Sequence, residues 1–385
     1  MNICYAVHAV LREYHATTLR GGLGYRLTTR GHKVYVVTNR SPSQPSFEVL
    51  NGGIKVFRVK ARVLPEIRYP LTDMRELISM LKTIIREYDI DLIHYHPFEY
   101  PISWSAPLIH DVPKVISIEG VPGINWFYGC LPVDIAGLAV SITLGRIALS
   151  ACSKVIVFGR PVARYVKALG VPEKKIAVIG YGVDEERFNI DTDQARDIKR
   201  SELGLSPDDI VVLFVGRLYP VKGIRFLLEA ADVITHWRRD VRFLIVGEGS
   251  LRSLVEEVAK ENPGIIFLGY RTDVPELMAA SDIFVLPSLA EGLPYALLEA
   301  GFCGLPLIAT NVGCVADVVI PGRTGILVPK GSSRELIKAI KLLIERPELR
   351  ESMSEAAQKL IRQKYSWNHI LEQYERLYYE VLEGL

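Results

Sequence analysis

The stretch DIVVLFVGRLYPVKG, residues 209–223, decides the fold class. Its first half is a continuous run of β-branched and other apolar residues, which is typical of a strand buried on both faces of a parallel sheet. Its second half contains Gly216 and Gly223, and glycine lets the backbone turn sharply or approach a ligand closely. The pattern therefore predicts a buried strand followed by a loop at the carboxyl edge of a parallel sheet.

The same alternation of short apolar runs and helix-length segments repeats along the chain. Further runs in the second half begin at residues 241, 264, 282, 306 and 325, and runs in the first half begin at residues 33, 91, 113, 154 and 175. Strands that alternate with helices favour parallel sheets covered on both faces. We therefore predict an α/β protein with two Rossmann-like domains.

Length and composition agree with two globular domains. The chain has 385 residues, of which 49% are hydrophobic and 23% are charged, and a single core does not usually grow to that size. The segment 184–209 is dense in charge and lacks a core-forming run, which predicts a linker with a hinge. The segment after residue 365 is helical in pattern and has an aromatic face that must be buried.

Composition disfavours several functions and locations. A net charge of +2 and a pI near 8.2 give no overall field that would recruit nucleic acid. The five cysteines stand singly, without the spacing of a metal site or a disulfide framework, so we expect reduced thiols, no metal and a cytoplasmic protein. We see no signal peptide, and Arg146 and Lys154 interrupt the apolar stretch 135–158, so we expect no membrane-spanning helix.

Three loops that follow predicted strands of the second half are unusual. The first places Arg217 and Lys222 on one strand-to-helix turn, and such a pair suits a diphosphate, although a solvated surface turn is the alternative. The second loop, GEGS, contains Gly247 and Gly249, and the third reads SLAEGLP. Because all three follow strands of one predicted sheet, we expect them to line one site.

The third loop leads into AEGLPYALLEAG, residues 290–301, which carries two carboxylates. Pro294 is favoured at the start of a helix, so we predict that a helix begins near it, with Glu291 ahead of the helix and Glu299 inside it. Amides at a helix start attract anions, whereas carboxylates accept hydrogen bonds from hydroxyl groups. A phosphate group with a polyol at each end, as in a nucleotide sugar, fits this combination.

Four motifs of the second half, taken in order, resemble the signature of the retaining family-four glycosyltransferases, which have the two-domain GT-B architecture. They are GRLYPVKG, VGEGS, GYRTDVPELMAASDIFVLPS and EGLPYALLEAGFCGLPLIATNVG, and weaker similarity continues in the first half through TRGHKVYVVT, DLIHYH and IGYGVDEERF. The resemblance implies two sheets that face a central crevice, with the last helix returning to the first domain. It implies an acceptor-side domain of residues 1–187 plus 366–385, and a donor-binding domain of residues 206–365.

The resemblance also implies roles for individual residues. Arg217 and Lys222 match the pair that binds the donor diphosphate, Glu299 matches the glutamate on the ribose, and Glu291 matches the one near the donor sugar. Tyr270 and Arg271 lie where a base stacks. The remaining donor-site positions are Gly216, Gly247, Gly292, Leu293, Pro294 and Tyr295.

The chain departs from the family pattern in its first half. Where the family has a glycine pair after its first strand, this sequence has Tyr14 and His15, and the role of its glycine run at residues 21–24 is not assigned. Where the family commonly has a histidine near the transferred sugar, this sequence has Glu119, which is either a site carboxylate or a loop carboxylate paired with a base. His94 and His96 alternate on a strand and are either a buried pair or site residues.

We therefore expect a retaining glycosyltransferase that needs no metal and no cofactor, with Arg217, Lys222, Glu291 and Glu119 as catalytic candidates. It would transfer a sugar from a nucleotide-diphosphate sugar to a sugar, a glycolipid or another hydroxyl acceptor. A nucleotide-sugar epimerase or hydrolase and a non-catalytic binding protein remain alternatives.

The apolar stretch 124–145 is either core or the docking region for a lipid-linked acceptor. The second interpretation predicts peripheral contact of the cytoplasmic enzyme with the inner face of a membrane.

Overall fold

The computed structural model describes residues 1–8, 22–41, 44–64, 69–124 and 131–384. The chain divides into two compact units, Met1–Gly180 with Asn368–Leu385 and Tyr181–Trp367. Both units contain a largely parallel sheet with helices, so the predicted α/β class with two Rossmann-like domains is confirmed. The predictions on Tyr14, His15 and Gly21 lie outside the described residues.

In the described part of the first unit, nine strands form one sheet in the order β3-β4-β2-β1-β6-β7-β8-β9, and β5 pairs with β4. The strands are β1 Asn2–Val7, β2 Lys33–Arg40, β3 Phe47–Leu50, β4 Ile54–Leu64, β5 Tyr69–Thr72, β6 Leu92–His96, β7 Lys114–Ile118, β8 Lys154–Val157 and β9 Ile176–Val178. The pairs of β4 with β3 and β5 are antiparallel, and the others are parallel.

Helices connect these strands. They are α1 Leu23–Thr29, α2 Met74–Glu87, α3 Leu131–Val140, α4 Arg146–Ser150 and α5 Arg160–Ala168. The helix α1 begins directly after Gly22 of the glycine run, and Gly24 is buried inside it. At the start of α2 the Asp73 carboxylate accepts hydrogen bonds from the amides of Arg75 and Glu76, which satisfies two otherwise unpaired donors.

The last helix, α14 Trp367–Leu382, belongs almost wholly to the first unit, as predicted. Its Tyr378 hydroxyl lies 2.9 Å from the Tyr5 hydroxyl and 2.7 Å from His94 Nδ1. The other His94 nitrogen lies 2.5 Å from the Ser117 hydroxyl. These groups are buried and mutually satisfied, so the helix is held by a hydrogen-bonded core as well as by its apolar face.

The second unit has a six-stranded parallel sheet in the order β12-β11-β10-β13-β14-β15. Its strands are β10 Ile210–Val215, β11 Val241–Val246, β12 Ile265–Gly269, β13 Ile283–Leu286, β14 Leu307–Thr310 and β15 Gly325–Val328. Its helices are α6 Glu185–Phe188, α7 Thr192–Glu202, α8 Ile224–Trp237, α9 Arg252–Glu261, α10 Val274–Ala279, α11 Tyr295–Phe302, α12 Ser333–Glu345 and α13 Pro347–Lys364.

The segment 184–209 is not a linker, which corrects the interpretation of its charge. It contains α6 and α7, and its residues belong to the second unit. Buried Arg200 donates to the Asp282 carboxylate at 2.8 Å and to the carbonyl groups of Ala280 and Asp209. Arg196 donates to the other Asp282 oxygen at 2.6 Å. The charges of this segment therefore attach α7 to the unit.

The segment Leu131–Ser150, α3 and α4 joined by a π turn, is the connection between β7 and β8. By length and composition it is able to cross a membrane, with a mean hydropathy of 1.5 and only 22% of the apolar window buried. The expectation that the apolar stretch 135–158 is too interrupted for this is not supported by the length and composition of the segment. Arg146 is a charged residue within this apolar segment, but the helix continues through it to Ser150.

Candidate functional site

The three loops predicted to share a site follow β10, β11 and β13, which are neighbours in the second sheet. Backbone hydrogen bonds join them directly. The Leu218 amide donates to the Glu248 carbonyl at 2.7 Å, and the Leu289 amide donates to the Val221 carbonyl at 2.7 Å. The expectation that these loops meet at one sheet edge is confirmed, and the loops form one connected surface.

Glycine is required where these loops cross. At Gly247, whose φ is +141°, a Cβ would lie 1.8 Å from the Gly216 carbonyl oxygen. At Gly223 a Cβ would lie 1.9 Å from the Pro287 carbonyl oxygen. Real atoms do not approach so closely, so any side chain at these positions would separate the loops.

Half-buried Lys222 and buried Glu291 form an ion pair at this edge. Lys222 Nζ donates to Glu291 Oε1 at 2.6 Å, and the Ser288 hydroxyl donates to the same oxygen at 2.6 Å. The sequence assigned these residues to two different parts of the ligand and did not predict that they pair. The pair joins the first loop to the third, and Glu291 positions the lysine cation at their junction.

Arg217 is the exposed cation of the first loop. Its guanidinium lies 5.7 Å from the centre of the Tyr219 ring, and within the described ranges no carboxylate lies within ion-pair distance of it. The five donors of a guanidinium are arranged to bind the oxygens of a phosphate in pairs. Arg217 therefore presents a solvent-facing charge beside the Lys222–Glu291 pair.

The helix α11 begins at Tyr295 after Pro294, which confirms the predicted start. Glu299 lies inside it and is half-buried. Burial raises the pKa of Glu299 to about 7, while Arg187 lowers it and Asp184 raises it. This carboxyl group therefore changes its charge near neutral pH. The Tyr295 ring stacks on Tyr181 at 4.4 Å.

Tyr270 and Arg271 differ in their surroundings. Tyr270 is 72% exposed. Arg271 donates to the Asp273 carboxylate at 2.8 and 2.6 Å and to Glu202 at 3.3 Å, and it holds the pKa of Asp273 below its ordinary value. The guanidinium thus joins the end of α7 to the start of α10, and the assignment of these two residues to a base remains a prediction.

In the first unit, the predicted histidines have separate environments. His94 is buried in the hydrogen-bonded core with Tyr378 and Ser117, and burial lowers its pKa. His96 is half-exposed at the end of β6, and its Nε2 lies 3.3 Å from Glu119 Oε1. Glu119 follows β7, the neighbour of β6, so the structure brings two predicted acceptor-side residues together at the carboxyl edge.

Two further titratable residues lie at this edge. The His8 amide donates to the His96 carbonyl at 3.1 Å, and the His8 ring stacks on Tyr100 at 3.7 Å. Burial and His96 lower the pKa of His8 to about 3. Burial raises the pKa of Glu99 to about 8, with a further increase from Glu119.

Two family models match the chain. The model described as Glycosyl transferases group 1 matches residues 195–360, and the model described as Glycosyltransferase Family 4 matches residues 22–187. The chain belongs to the family-four glycosyltransferases. It is an enzyme that transfers a sugar from a nucleotide sugar.

Relatives of this glycosyltransferase have several names. N-acetyl-alpha-D-glucosaminyl L-malate synthase of Bacillus anthracis is 26% identical over 366 residues, which cover 94% of this chain and 92% of the relative. UDP-Gal:alpha-D-GlcNAc-diphosphoundecaprenol alpha-1,3-galactosyltransferase of Escherichia coli is 33% identical over 257 residues, which cover 63% of each protein.

Solved structures share the fold over the whole chain. Sucrose-phosphate synthase from Thermosynechococcus elongatus has a TM-score of 0.81 at 20% identity, with 100% of both chains covered. Anabaena HepE in complex with UDP-glucose has a TM-score of 0.75 at 21% identity, again with 100% of both chains covered. At this identity the likeness shows the GT-B fold alone.

His8 and Glu99 of the glycosyltransferase were not predicted from the sequence: β1, which precedes His8, was not predicted, and Glu99 lies beyond the predicted strand β6. The signal was present, since the buried run ICYAV ends at Val7 and the next residue is a polar group at a strand end. Glu99 lies three residues beyond the end of β6, on the loop that also carries Tyr100. A search for polar residues after every apolar run would have found His8.

We expect Lys222→Ala to lower the free energy of unfolding by about 3–5 kcal/mol, because it leaves the buried Glu291 carboxylate without a counter-ion. Urea unfolding followed by circular dichroism measures the change. Glu291→Gln, added to Lys222→Ala, should restore part of the loss, because it removes the unpaired charge. Lys338→Ala, which breaks an exposed pair with Glu335, is the control and should cost less than about 1 kcal/mol. Equal stability of the single and double variants would contradict this ion pair.

Proposed function

We propose that this glycosyltransferase is a retaining, metal-independent enzyme that moves the sugar of a nucleotide-diphosphate sugar to an acceptor hydroxyl. The observation that carries the proposal is the grouping of Arg217, Lys222, Glu291 and Glu299 on one connected loop surface and the helix that follows it. Cations for a diphosphate and carboxylates for hydroxyl groups occur together there. We propose no cofactor besides the donor and acceptor substrates.

Two different cations would bind the diphosphate. Arg217 is exposed and offers its guanidinium to phosphate oxygens, whereas Lys222 is held as a point charge by Glu291, which also accepts a hydrogen bond from the Ser288 hydroxyl. Negative charge grows on the diphosphate as the bond to the sugar breaks. Fixed cations stabilise that charge without reorganising during the reaction, which is how such sites increase rates. We assign leaving-group stabilisation to these two side chains.

The carboxylates would bind the polyol parts of the donor. Glu299 lies half-buried on α11, and an ionised carboxylate accepts hydrogen bonds from both hydroxyls of a ribose diol. Glu291 lies before the helix, beside the lysine that would contact the phosphate, and we assign it to the transferred sugar. Gly216, Gly247, Gly292, Leu293, Pro294 and Tyr295 supply the surrounding backbone.

We propose retention of configuration through the leaving diphosphate. The acceptor oxygen attacks the anomeric carbon on the face from which the phosphate oxygen departs, and the acceptor proton passes to that phosphate oxygen. The sugar–phosphate bond breaks as the sugar–acceptor bond forms. No covalent bond to the protein is needed, so the catalytic role of the side chains is electrostatic.

On the acceptor side, we assign the Glu119–His96 pair to contacts with the transferred sugar. A carboxylate there accepts hydrogen bonds from sugar hydroxyls and favours positive charge at the anomeric carbon. The acceptor class is a sugar, a glycolipid or another hydroxyl compound. The E. coli relative, named for a diphosphoundecaprenol-linked acceptor, supports a lipid-linked acceptor and a cytoplasmic enzyme at the inner membrane face.

We expect Arg217→Ala to slow transfer by about tenfold to more than a hundredfold, since a charge-assisted hydrogen bond contributes roughly 1.5–3 kcal/mol. Arg217 is exposed, so its loss should leave the unfolding curve unchanged. The control is Arg239→Ala. Arg239 is exposed and precedes β11, at the end of that strand opposite to the loop that contains Gly247. Steady-state rates with UDP-glucose and other nucleotide sugars make the comparison. A near-normal rate for Arg217→Ala, or a strict need for added magnesium after chelation, would contradict the assignment.

We expect the affinity for UDP-glucose to fall about tenfold between about pH 8 and pH 6, because the carboxyl group of Glu299, with a pKa of about 7, becomes protonated over this range. The affinity falls at low pH because the hydroxyl groups of the ligand donate hydrogen bonds to the ionised form of Glu299. Binding to the protonated form therefore releases a proton. UDP-glucose is used rather than UDP because a terminal phosphate also titrates near pH 6. Thermal-shift titrations measure the affinity. Glu299→Gln should flatten the profile, whereas Arg217→Ala should keep its slope, and a sloping profile in Glu299→Gln would exclude this residue.

We expect Glu119→Gln to reduce the rate at saturating donor by about tenfold or more while leaving donor affinity within a fewfold, the pattern of an interaction made chiefly in the transition state. Glutamine keeps the shape of the side chain and removes its charge. Glu87→Gln, an exposed carboxylate at the end of α2, is the control. A wild-type rate in Glu119→Gln would leave Glu119 with a structural role as the partner of His96.

A further inference from the structure

The outer face of the helical segment Leu131–Ser150 is exposed and apolar. Five large aliphatic side chains of the segment have exposed fractions between 42% and 73%: Leu131, Ile135, Ile142, Leu144 and Ile147. We call these five residues the apolar face. Exposed apolar side chains that adjoin one another on a single helix mark an interaction surface, whereas scattered ones do not.

The opposite side of the same segment is fixed to the first unit. Ser141, Gly145, Ala148 and Leu149 are buried, and a Cβ at Gly145 would lie 2.7 Å from the Phe98 ring. From Ser141 to Leu149 the segment therefore packs closely against the unit, whereas no residue of α3 is buried. This packing leaves Ile142, Leu144 and Ile147 exposed in the second half of the segment.

The connections of the segment exclude a membrane-spanning arrangement. A spanning helix places its ends on opposite sides of a hydrocarbon core about 30 Å thick. Here the segment joins β7 to β8, and these strands pair in parallel, with Val115 opposite Lys154. Both ends return to one sheet, so the segment does not place its ends on opposite sides of a bilayer.

Positive charge adjoins the apolar face. Between residues 146 and 175 the chain has seven lysines and arginines and one acidic residue, Glu173. The Arg146 guanidinium lies against Gly170, and Lys175 Nζ donates to the carbonyls of Ser150 and Cys152 at 3.1 and 2.9 Å. Arg146 and Lys175 thus lie at the carboxyl end of the helix, where cations complement anionic lipid headgroups. Two other cations of the stretch, Lys154 and Lys167, pair with Glu380 and Glu173.

We propose that the apolar face is a membrane-docking surface that lies in the interfacial plane of an anionic bilayer, with the adjacent cations on the headgroups. An apolar helix face with cations beside it is the pattern of such interfacial helices. Protein interfaces are enriched in aromatic residues and methionine, whereas this face consists of leucine and isoleucine, so a bilayer is the partner that the chemistry favours. The inference rests on the proposed function only for the location of the acceptor, because docking itself needs neither donor nor acceptor.

Flotation of the full-length protein with lipid vesicles tests the proposal. The vesicles contain phosphatidylcholine alone or with about one third phosphatidylglycerol, which supplies the negative surface potential. We expect the protein to float with the anionic vesicles and to bind neutral ones more weakly. Ile135→Ser/Ile142→Ser/Ile147→Ser should weaken binding by more than about tenfold, because the buried apolar area sets the affinity.

Two further variants separate the contribution of the apolar face to vesicle binding from that of the cations. Ile198→Ser/Val233→Ser/Leu342→Ser changes aliphatic residues of the second unit that are 59%, 45% and 42% exposed, and it should float like the wild type. Arg146→Gln/Lys174→Gln should reduce binding to anionic vesicles and leave binding to neutral vesicles unchanged.

Several results would overturn the proposal. These are no flotation of the wild type, flotation of the triple serine variant at the wild-type level, or resistance to alkaline carbonate extraction, which would indicate a spanning helix. A dimer that the triple serine variant disperses, without vesicle binding by the wild type, would make a second copy the partner. The affinity for UDP-glucose is measured on the same samples, so that failure of the docking proposal can be told from failure of the proposed function. If docking is lost while donor binding stays normal, the proposed function is unaffected.

Discussion

The close approach of backbone to backbone at the carboxyl edge of the second sheet is the constraint on which the donor-side arrangement depends. A Cβ at Gly247, Gly223 or Gly313 would lie within 1.9 Å of a carbonyl oxygen of a neighbouring loop. Only glycine permits these contacts, and they set the distance between the loops. That distance in turn places Lys222 within 2.6 Å of Glu291, although the two residues come from different loops. Backbone packing therefore determines the electrostatics of the site.

A network of charged side chains around Asp282 holds α7 to the rest of the second unit. Asp282 accepts hydrogen bonds from Arg196 and Arg200 and from the Val211 amide, so one carboxylate connects α7 with the starts of β10 and β13. Breaking such a network by removing one partner leaves an uncompensated charge inside the protein and is strongly destabilising. In composition the segment resembles a solvated linker, yet it supplies part of the polar interior. Charge density alone does not separate these two cases.

Strands and helix starts could be predicted from the sequence, because each depends on residues that are close together in the chain. Continuous apolar runs correctly predicted β2, β6, β7, β8, β9 and all six strands of the second sheet, and Pro294 correctly placed the start of α11. The strand β4 was missed because it alternates apolar residues with lysines and arginines, which is typical of a half-exposed strand and not of a buried one.

Pairings between distant residues were not predictable. The Lys222–Glu291 pair depends on the crossing of two loops, and the stacking of His8 on Tyr100 depends on β1 and β6 being neighbours in the first sheet. Arg271 was predicted to lie with Tyr270 where a base stacks, and its partners Asp273 and Glu202 were not predicted. Sequence spacing identifies which residues follow a strand, but the partners of their side chains are determined by the sheet order.

The carboxyl edges of the two sheets differ in the ionisable groups that they carry. In the first unit, burial favours the neutral forms: it lowers the pKa of His8 to about 3 and raises that of Glu99 to about 8. In the second unit, Arg217 stays in solvent and Lys222 keeps a carboxylate partner, so positive charge is retained. Neutral imidazole and carboxylic acid groups both donate and accept hydrogen bonds, as hydroxyl recognition requires, whereas a diphosphate needs cations. The cations of the second edge thus agree with the diphosphate site proposed there, and burial raises the pKa of a carboxyl group at both edges, Glu99 at the first and Glu299 at the second, which agrees with hydroxyl recognition at both.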